Sequence, residues 1–264
     1  MRWHVATAMQ RHNFQHDGLN LSYLDTGGVD ETLVALHSHW MEGQTFASLA
    51  AALAPGWRVI ALDQRGHGYS DHASTYMRED YLGDLDVLFA HLGISRAVLL
   101  GNSLGGVNAY QFAARHPEYV RALIIEDIGA VMGDDTSFAL AWSGVFKTYK
   151  DLEERVGPRF FPYLKDSVRS VAGGWRLAFE PKDMVQSQTY LNGNHWADWL
   201  ASTCPALLIR GEDSRVTTQE HVEEMAERRT DTRLRVLSGG HVVHFDNPKG
   251  FNVAVLEFLE QLSA

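Results

Sequence analysis

Ser103 has the setting of a nucleophile. It stands in Gly101-Asn102-Ser103-Leu104-Gly105-Gly106, after the apolar run AVLL and before a small-residue helical segment. A G-x-S-x-G turn between a strand and a helix raises the serine hydroxyl above the sheet edge. Glycines at 101 and 105 let strand and helix close round that turn. Leu104 opens the helix, where a backbone N–H has no intrahelical acceptor and can hold a developing oxyanion. The chemistry implied is attack of Ser103 on a carbonyl carbon, with a histidine as base and a carboxylate orienting it. That chemistry needs no cofactor. The 13 histidines offer many bases. His37 and His39 form an H-x-H pair with no third ligand at suitable spacing, so no metal site is expected.

Such a site needs strand ends to present it. Near-continuous apolar runs occur at residues 19–24, 32–37, 57–62, 97–101, 122–126, 206–210 and 233–237. Strands of this kind are buried on both faces, as in a parallel sheet covered by helices. Helical patterns lie between them, at 46–53, 77–92, 104–116, 218–228 and 250–262. The alternation indicates an α/β domain with a mostly parallel sheet. Residues 134–199 break the rhythm. They read as short helices interrupted by Gly157-Pro158, Gly173-Gly174 and Pro181, with no strand. The expected organisation is a core of residues 1–133 and 200–264 with an inserted helical cap at 134–199.

The motifs together resemble the α/β-hydrolase superfamily over nearly the whole chain. Asp63-Gln64-Arg65-Gly66-His67-Gly68-Tyr69-Ser70 is similar to its D-x-R-G-x-G-x-S turn. Leu36-His37-Ser38-His39-Trp40 follows an early strand where the family usually has His-Gly, with Ser38 in place of the glycine. Gly240-His241, followed by Pro248, is similar to its late histidine segment, and 134–199 falls where members carry a cap. The resemblance implies an eight-stranded, mostly parallel sheet flanked by helices. It makes His241 the base, with His244 the rival and a loop-packing residue in many members. It makes the backbone N–H groups of His39 and Leu104 the oxyanion donors. His37 is then a turn-holding residue.

The acid has two candidates under the resemblance. The usual position, third after the glycine in Arg210-Gly211-Glu212-Asp213-Ser214, holds Ser214, which cannot stabilise an imidazolium. Asp213 lies one residue early. Some members place the acid after the strand that precedes the cap, and there Ile125-Glu126-Asp127 supplies Asp127. Asp127 is preferred, Asp213 is the alternative, and Glu126 should point away by strand alternation.

The chain has 264 residues and a net charge of −10, which argues against nucleic acid and anionic membranes as partners. Its single cysteine, Cys204, forbids an internal disulfide. The start has no apolar run of signal-peptide length, and no stretch is long enough to span a membrane. A cytoplasmic monomer or homodimer acting on a small molecule is expected. Of its 28 aromatic residues, 12 fall within 134–199. The expected pocket residues are Ser38, Trp40, Met41, Trp142, Phe146 and Val242, suited to an apolar or aromatic group. The leading expectation is a serine hydrolase of carboxylic esters, lactones or thioesters. Carbon–carbon bond hydrolysis, cofactor-free oxygenation, and a ligand receptor retaining the triad are the alternatives that the resemblance admits. Ser103 sets the chain apart from the dehalogenases and epoxide hydrolases of this fold, whose nucleophile is a carboxylate.

Overall fold

The computed structural model describes residues 9–28 and 31–262; the start of the chain, residues 1–8, lies outside them. The strands in chain order are β1 (Gln10–His16), β2 (Leu19–Asp25), β3 (Glu31–Leu36), β4 (Trp57–Asp63), β5 (Ala97–Asn102) and β6 (Val120–Glu126). They continue with β7 (Val131–Met132), β8 (Val168–Val171), β9 (Gly174–Leu177), β10 (Gly193–Asn194), β11 (Ala206–Gly211) and β12 (Thr232–Leu237). The helices are α1 (Ala47–Leu53), α2 (Arg78–Leu92), α3 (Leu104–Arg115), α4 (Tyr149–Val156) and α5 (Phe161–Leu164). They close with α6 (Pro181–Leu191), α7 (Trp196–Ala201), α8 (Gln219–Arg228), α9 (Val243–Asp246) and α10 (Pro248–Leu262).

Eight strands form one sheet in the order β1-β2-β4-β3-β5-β6-β11-β12. From β4 to β12 every pairing is parallel, and β2 is antiparallel to both of its neighbours. Strand alternation sends side chains to two separate cores. Leu33, Ala35, Val98 and Leu100 pack with α1 and α10 on one face. Val34, Leu36 and Leu99 pack with α2 and α3 on the other. This is the α/β-hydrolase fold expected from the sequence.

Two features differ from expectation. β1 is polar except for the buried Phe14, because it is an edge strand with one core-facing side chain. Without an apolar alternation it gives no strand signal. Residues 134–199 are also not purely helical. β8 and β9 form an antiparallel hairpin, with Val171 paired to Gly174 across Ala172-Gly173. The Gly173-Gly174 pair, read as a helix break, closes this turn, and Gly173 has φ +89°. β10 also pairs with β7.

Register places the parallel strands' carboxyl ends level: Gly101 pairs with Leu36 and Ile125, and Glu126 pairs with Asn102 and Ile209. The residues that follow these ends therefore converge at one edge, where open α/β sheets bind ligands. The turn after β5 requires two of its glycines. A Cβ at Gly101 would lie 2.1 Å from the Gly105 carbonyl oxygen, and one at Gly105 would lie 2.1 Å from that of Leu36. No helix among the described residues is long and apolar enough to cross a membrane.

Gly105→Ala should destabilise the chain by about 3 kcal/mol, since rigid backbone must move to admit the methyl. Gly56→Ala, whose nearest neighbour would lie 3.9 Å away, should stay within about 0.5 kcal/mol. Urea denaturation of both variants measures the difference, and equal midpoints would refute the packing argument.

Candidate active site

Ser103 sits between β5 and α3 with φ +53° and ψ −116°. For a residue with a Cβ this conformation costs about 1–3 kcal/mol. Its backbone is held by two bonds: the N–H donates to Glu126 O at 3.1 Å, and its carbonyl accepts from Val107 N–H at 3.1 Å. Asp127 and Trp40 are also left-handed, at φ +49° and +72°. Three strained residues thus surround one edge of the sheet, held by the packed strands beneath them.

Asp127 is buried just beyond β6. Its Oδ2 accepts from His241 Nδ1–H at 2.7 Å and from the Ser214 hydroxyl, and its Oδ1 accepts from Gly211 N–H at 3.2 Å. Ser214, in the slot where many members carry the acid, therefore serves the carboxylate from β6. Arg210 shapes that loop from below, donating to the carbonyls of Thr217, Glu212 and Ser214. Asp213 borders the same cavity, but its side chain is exposed and makes no hydrogen bond or ion pair with His241. Its N–H donates to Gly239 O at 2.9 Å.

Glu126 points the other way, as strand alternation requires. Its carboxylate accepts from His244 N–H at 2.8 Å and from His244 Nδ1–H at 2.7 Å. His244 Nε2 in turn meets Thr45 Oγ1 at 2.7 Å. His244 is thus committed to clamping the histidine loop onto β6. Asn102, which the sequence reading passed over, bridges the two loops: its Nδ2 donates to Glu126 O and His241 O at 3.2 and 3.0 Å.

The wall that follows β3 is built on buried histidines. His37 Nε2 accepts from Gln64 N–H at 3.0 Å, and its Nδ1–H donates to Ser38 O at 2.7 Å. Burial depresses its pKa to about 3. Burial likewise holds His39 and His67 well below 6.5, with His67 adding repulsion at His39 and His37 adding it at His67. The N–H of His39 has no acceptor among the described residues, and that of Leu104 is the first of α3.

A cavity of about 610 Å³ opens over these residues. Ser38, His39, Trp40, Met41, Ser103, His241 and Val242 line it. Trp142 and Phe146, expected there, do not. Trp142 is buried behind the wall, 5.2 Å from the Trp40 ring and 5.4 Å from that of Phe160, and it stiffens Trp40 from behind. Phe146 is held away by backbone pairing with Trp175. Of the 12 aromatics at 134–199, Phe138, Phe160 and Tyr163 reach the cavity. Phe161, Phe179 and Trp199 are core. Sequence reading missed the charged rim of Asp134, Asp135, Arg159 and Arg215, and also Gln188 of α6. These lie on loops and on a helix whose pattern gives no functional signal.

Two outcomes follow from this geometry. Asp127→Asn should slow labelling of Ser103 by a fluorophosphonate at least about a hundredfold, while Asp213→Asn should stay within about threefold. The reverse order would make Asp213 the acid. Buried neutral histidines contribute stability that is complete above about pH 6.5 and is lost as pH falls below it toward their depressed native values. The urea midpoint should therefore drop between about pH 6.5 and 4, and His67→Asn should flatten that drop. An unchanged slope would contradict the burial argument.

Known proteins share this framework. A 2-(acetamidomethylene)succinate hydrolase of Mesorhizobium japonicum is 27% identical over 88% of this chain and 89% of its own length. An sn-1-specific diacylglycerol lipase of Mus musculus is 28% identical over 91% of this chain and 85% of its own. Among solved structures, an E-2-(acetamidomethylene)succinate hydrolase superposes with a TM-score of 0.86 at 25% identity, covering 96% of this chain and 99% of its own. A marine microorganism esterase gives 0.78 at 26% identity, covering 90% and 98%. The family model for the alpha/beta hydrolase family matches residues 32–254, and with this fold beneath it the chain belongs to that family.

Proposed function

We propose that the chain is a serine hydrolase cleaving a carboxylic ester, lactone or thioester of a small apolar or aromatic substrate through an acyl-enzyme. The observation that carries this reading is the Asp127–His241 hydrogen bond of 2.7 Å at the cavity that Ser103 also lines. With its Nδ1–H given to Asp127, His241 keeps a lone pair on Nε2. It takes the Ser103 proton as the oxygen attacks the carbonyl carbon, and the N–H groups of His39 and Leu104 hold the oxyanion. His241 then returns the proton to the leaving group. Water, activated by the same histidine, releases the acyl group.

Ser103 and His241 are not hydrogen-bonded in the free chain, a separation common before substrate tightens such a site. Residues 134–199 act as the cap in this reading, supplying the Phe138, Phe160 and Tyr163 wall. The relatives' names share hydrolysis but differ in substrate, as expected where one fold serves many sites. Apolar walls favour a hydrophobic acyl or alcohol group, while Arg159 and Arg215 add positive charge at the rim.

A panel of p-nitrophenyl esters, lactones and thioesters of graded acyl size tests the reading. Turnover of at least one class should fall at least about a thousandfold in Ser103→Ala. Activity persisting in that variant, with oxygen uptake on a heteroaromatic substrate, would place the chain among oxygenases instead.

A further inference from the structure

His39 has a second polar group at the cavity besides its backbone N–H. Its ring Nε2 lies 2.8 Å from the hydroxyl of Ser187 on α6, and that hydroxyl lies 2.9 Å from Tyr81 OH on α2. All three side chains are buried. Among the described residues, Tyr81 OH has no hydrogen-bond partner except Ser187. A buried hydroxyl proton without an acceptor costs about 1–3 kcal/mol, so Tyr81 must donate to Ser187. Ser187 has one proton, and it must go to His39 Nε2. His39 therefore accepts at Nε2 and carries its own proton on Nδ1. The opposite direction along the same chain would leave the Tyr81 proton with no acceptor.

The ring is neutral, since burial, His67, Arg78 and His241 all disfavour its charged form. Nδ1 has no partner among the described residues, yet it is not sealed from the surface as a buried unpaired atom would be. The space open to it is the cavity that His39 lines with Ser103. We propose that the His39 side chain donates a hydrogen bond from Nδ1 to a substrate oxygen, with Ser187 and Tyr81 as positioning residues that fix its tautomer. The proposal deepens the hydrolase reading and rests on it for the identity of the substrate. The ligand chemistry is an uncharged acceptor: the carbonyl under attack, or a second oxygen on the acyl group.

Nitrogen-15 NMR of the histidine rings in the wild-type chain tests the tautomer without any turnover. His39 is assigned by the signal that disappears in His39→Gln and, independently, by the one that shifts in Ser187→Ala. A protonated Nδ1 is expected, and a protonated Nε2 would overturn the proposal even if Ser103 proves to be the nucleophile. If no ester is cleaved, the hydrolase reading fails while the tautomer result still stands.

Substitution then tests the contact itself. An Asn amide nitrogen mimics Nδ1, and a Gln amide nitrogen mimics Nε2. His39→Leu should lose about tenfold in kcat/KM, the worth of one hydrogen bond, and His39→Asn should recover most of that while His39→Gln does not. Recovery by Gln alone would make His39 a structural link to Ser187 and overturn the substrate contact. A kcat loss common to all esters assigns the donor to the carbonyl under attack. A KM loss confined to esters whose acyl group carries a second oxygen assigns it to that oxygen.

Discussion

The carboxylate of Asp127 joins three separate stretches of chain. It accepts from His241 on the loop after β12, from Gly211 at the end of β11 and Ser214 just beyond it, and it is itself carried by the end of β6. These partners lie 84 to 114 residues away in sequence. Parallel pairing brings them to one edge, and the carboxylate then fixes the histidine ring. Three donors satisfy the oxygens of this buried carboxylate, which is what burying such a group demands. The left-handed backbone at Asp127 is the local cost of turning its side chain toward His241, and the β6–β11 pairing offsets it.

The neighbouring residue makes the arrangement rigid. Glu126, on the opposite face of the same strand end, holds both the backbone and the ring of His244. Two adjacent carboxylates therefore grip one histidine loop at two points, His241 and His244. Asn102 adds a third tie from the strand that carries Ser103. On the opposite wall, the His37–Gln64 bonds anchor the loop after β3 to the turn after β4. Asp246 extends the network upward: it accepts from Gly240 N–H at 2.7 Å and from Tyr163 OH at 2.9 Å, tying the histidine loop to the 134–199 segment. Positioning here comes from many buried polar bonds, each short of acceptors elsewhere, so misplacing one would leave others unpaired.

Much of this was legible in the residues. The seven apolar runs mark seven of the eight sheet strands; six of them are largely buried, whereas β12, at the sheet edge, buries none of its residues. β1 escaped because an edge strand needs only Phe14 to anchor it. The β8–β9 hairpin escaped because Gly173-Gly174 ends a helix and closes a hairpin equally well in sequence. The nucleophile turn was readable because close packing leaves glycine no substitute at 101 and 105. Ser214 in the usual slot and Asp213 one residue early favoured Asp127; the hydrogen bond to His241 itself depends on backbone angles that no periodicity encodes. Trp142 and Phe146 share the composition of cavity residues, yet they pack behind its wall, since aromatic type reports burial and not the side from which a ring is reached. The Tyr81–Ser187–His39 chain joins residues 106 and 148 positions apart and has no signature at all.

The central claim is that Ser103 carries a covalent intermediate generated by the His241–Asp127 pair. Rapid acid quenching during turnover of a slowly deacylating ester, followed by peptide mass spectrometry, tests it directly. The account predicts an acyl adduct on the peptide containing Ser103, accumulating in a burst and absent in Asp127→Asn on the same timescale. Turnover with no adduct, or an adduct on another residue, would contradict it.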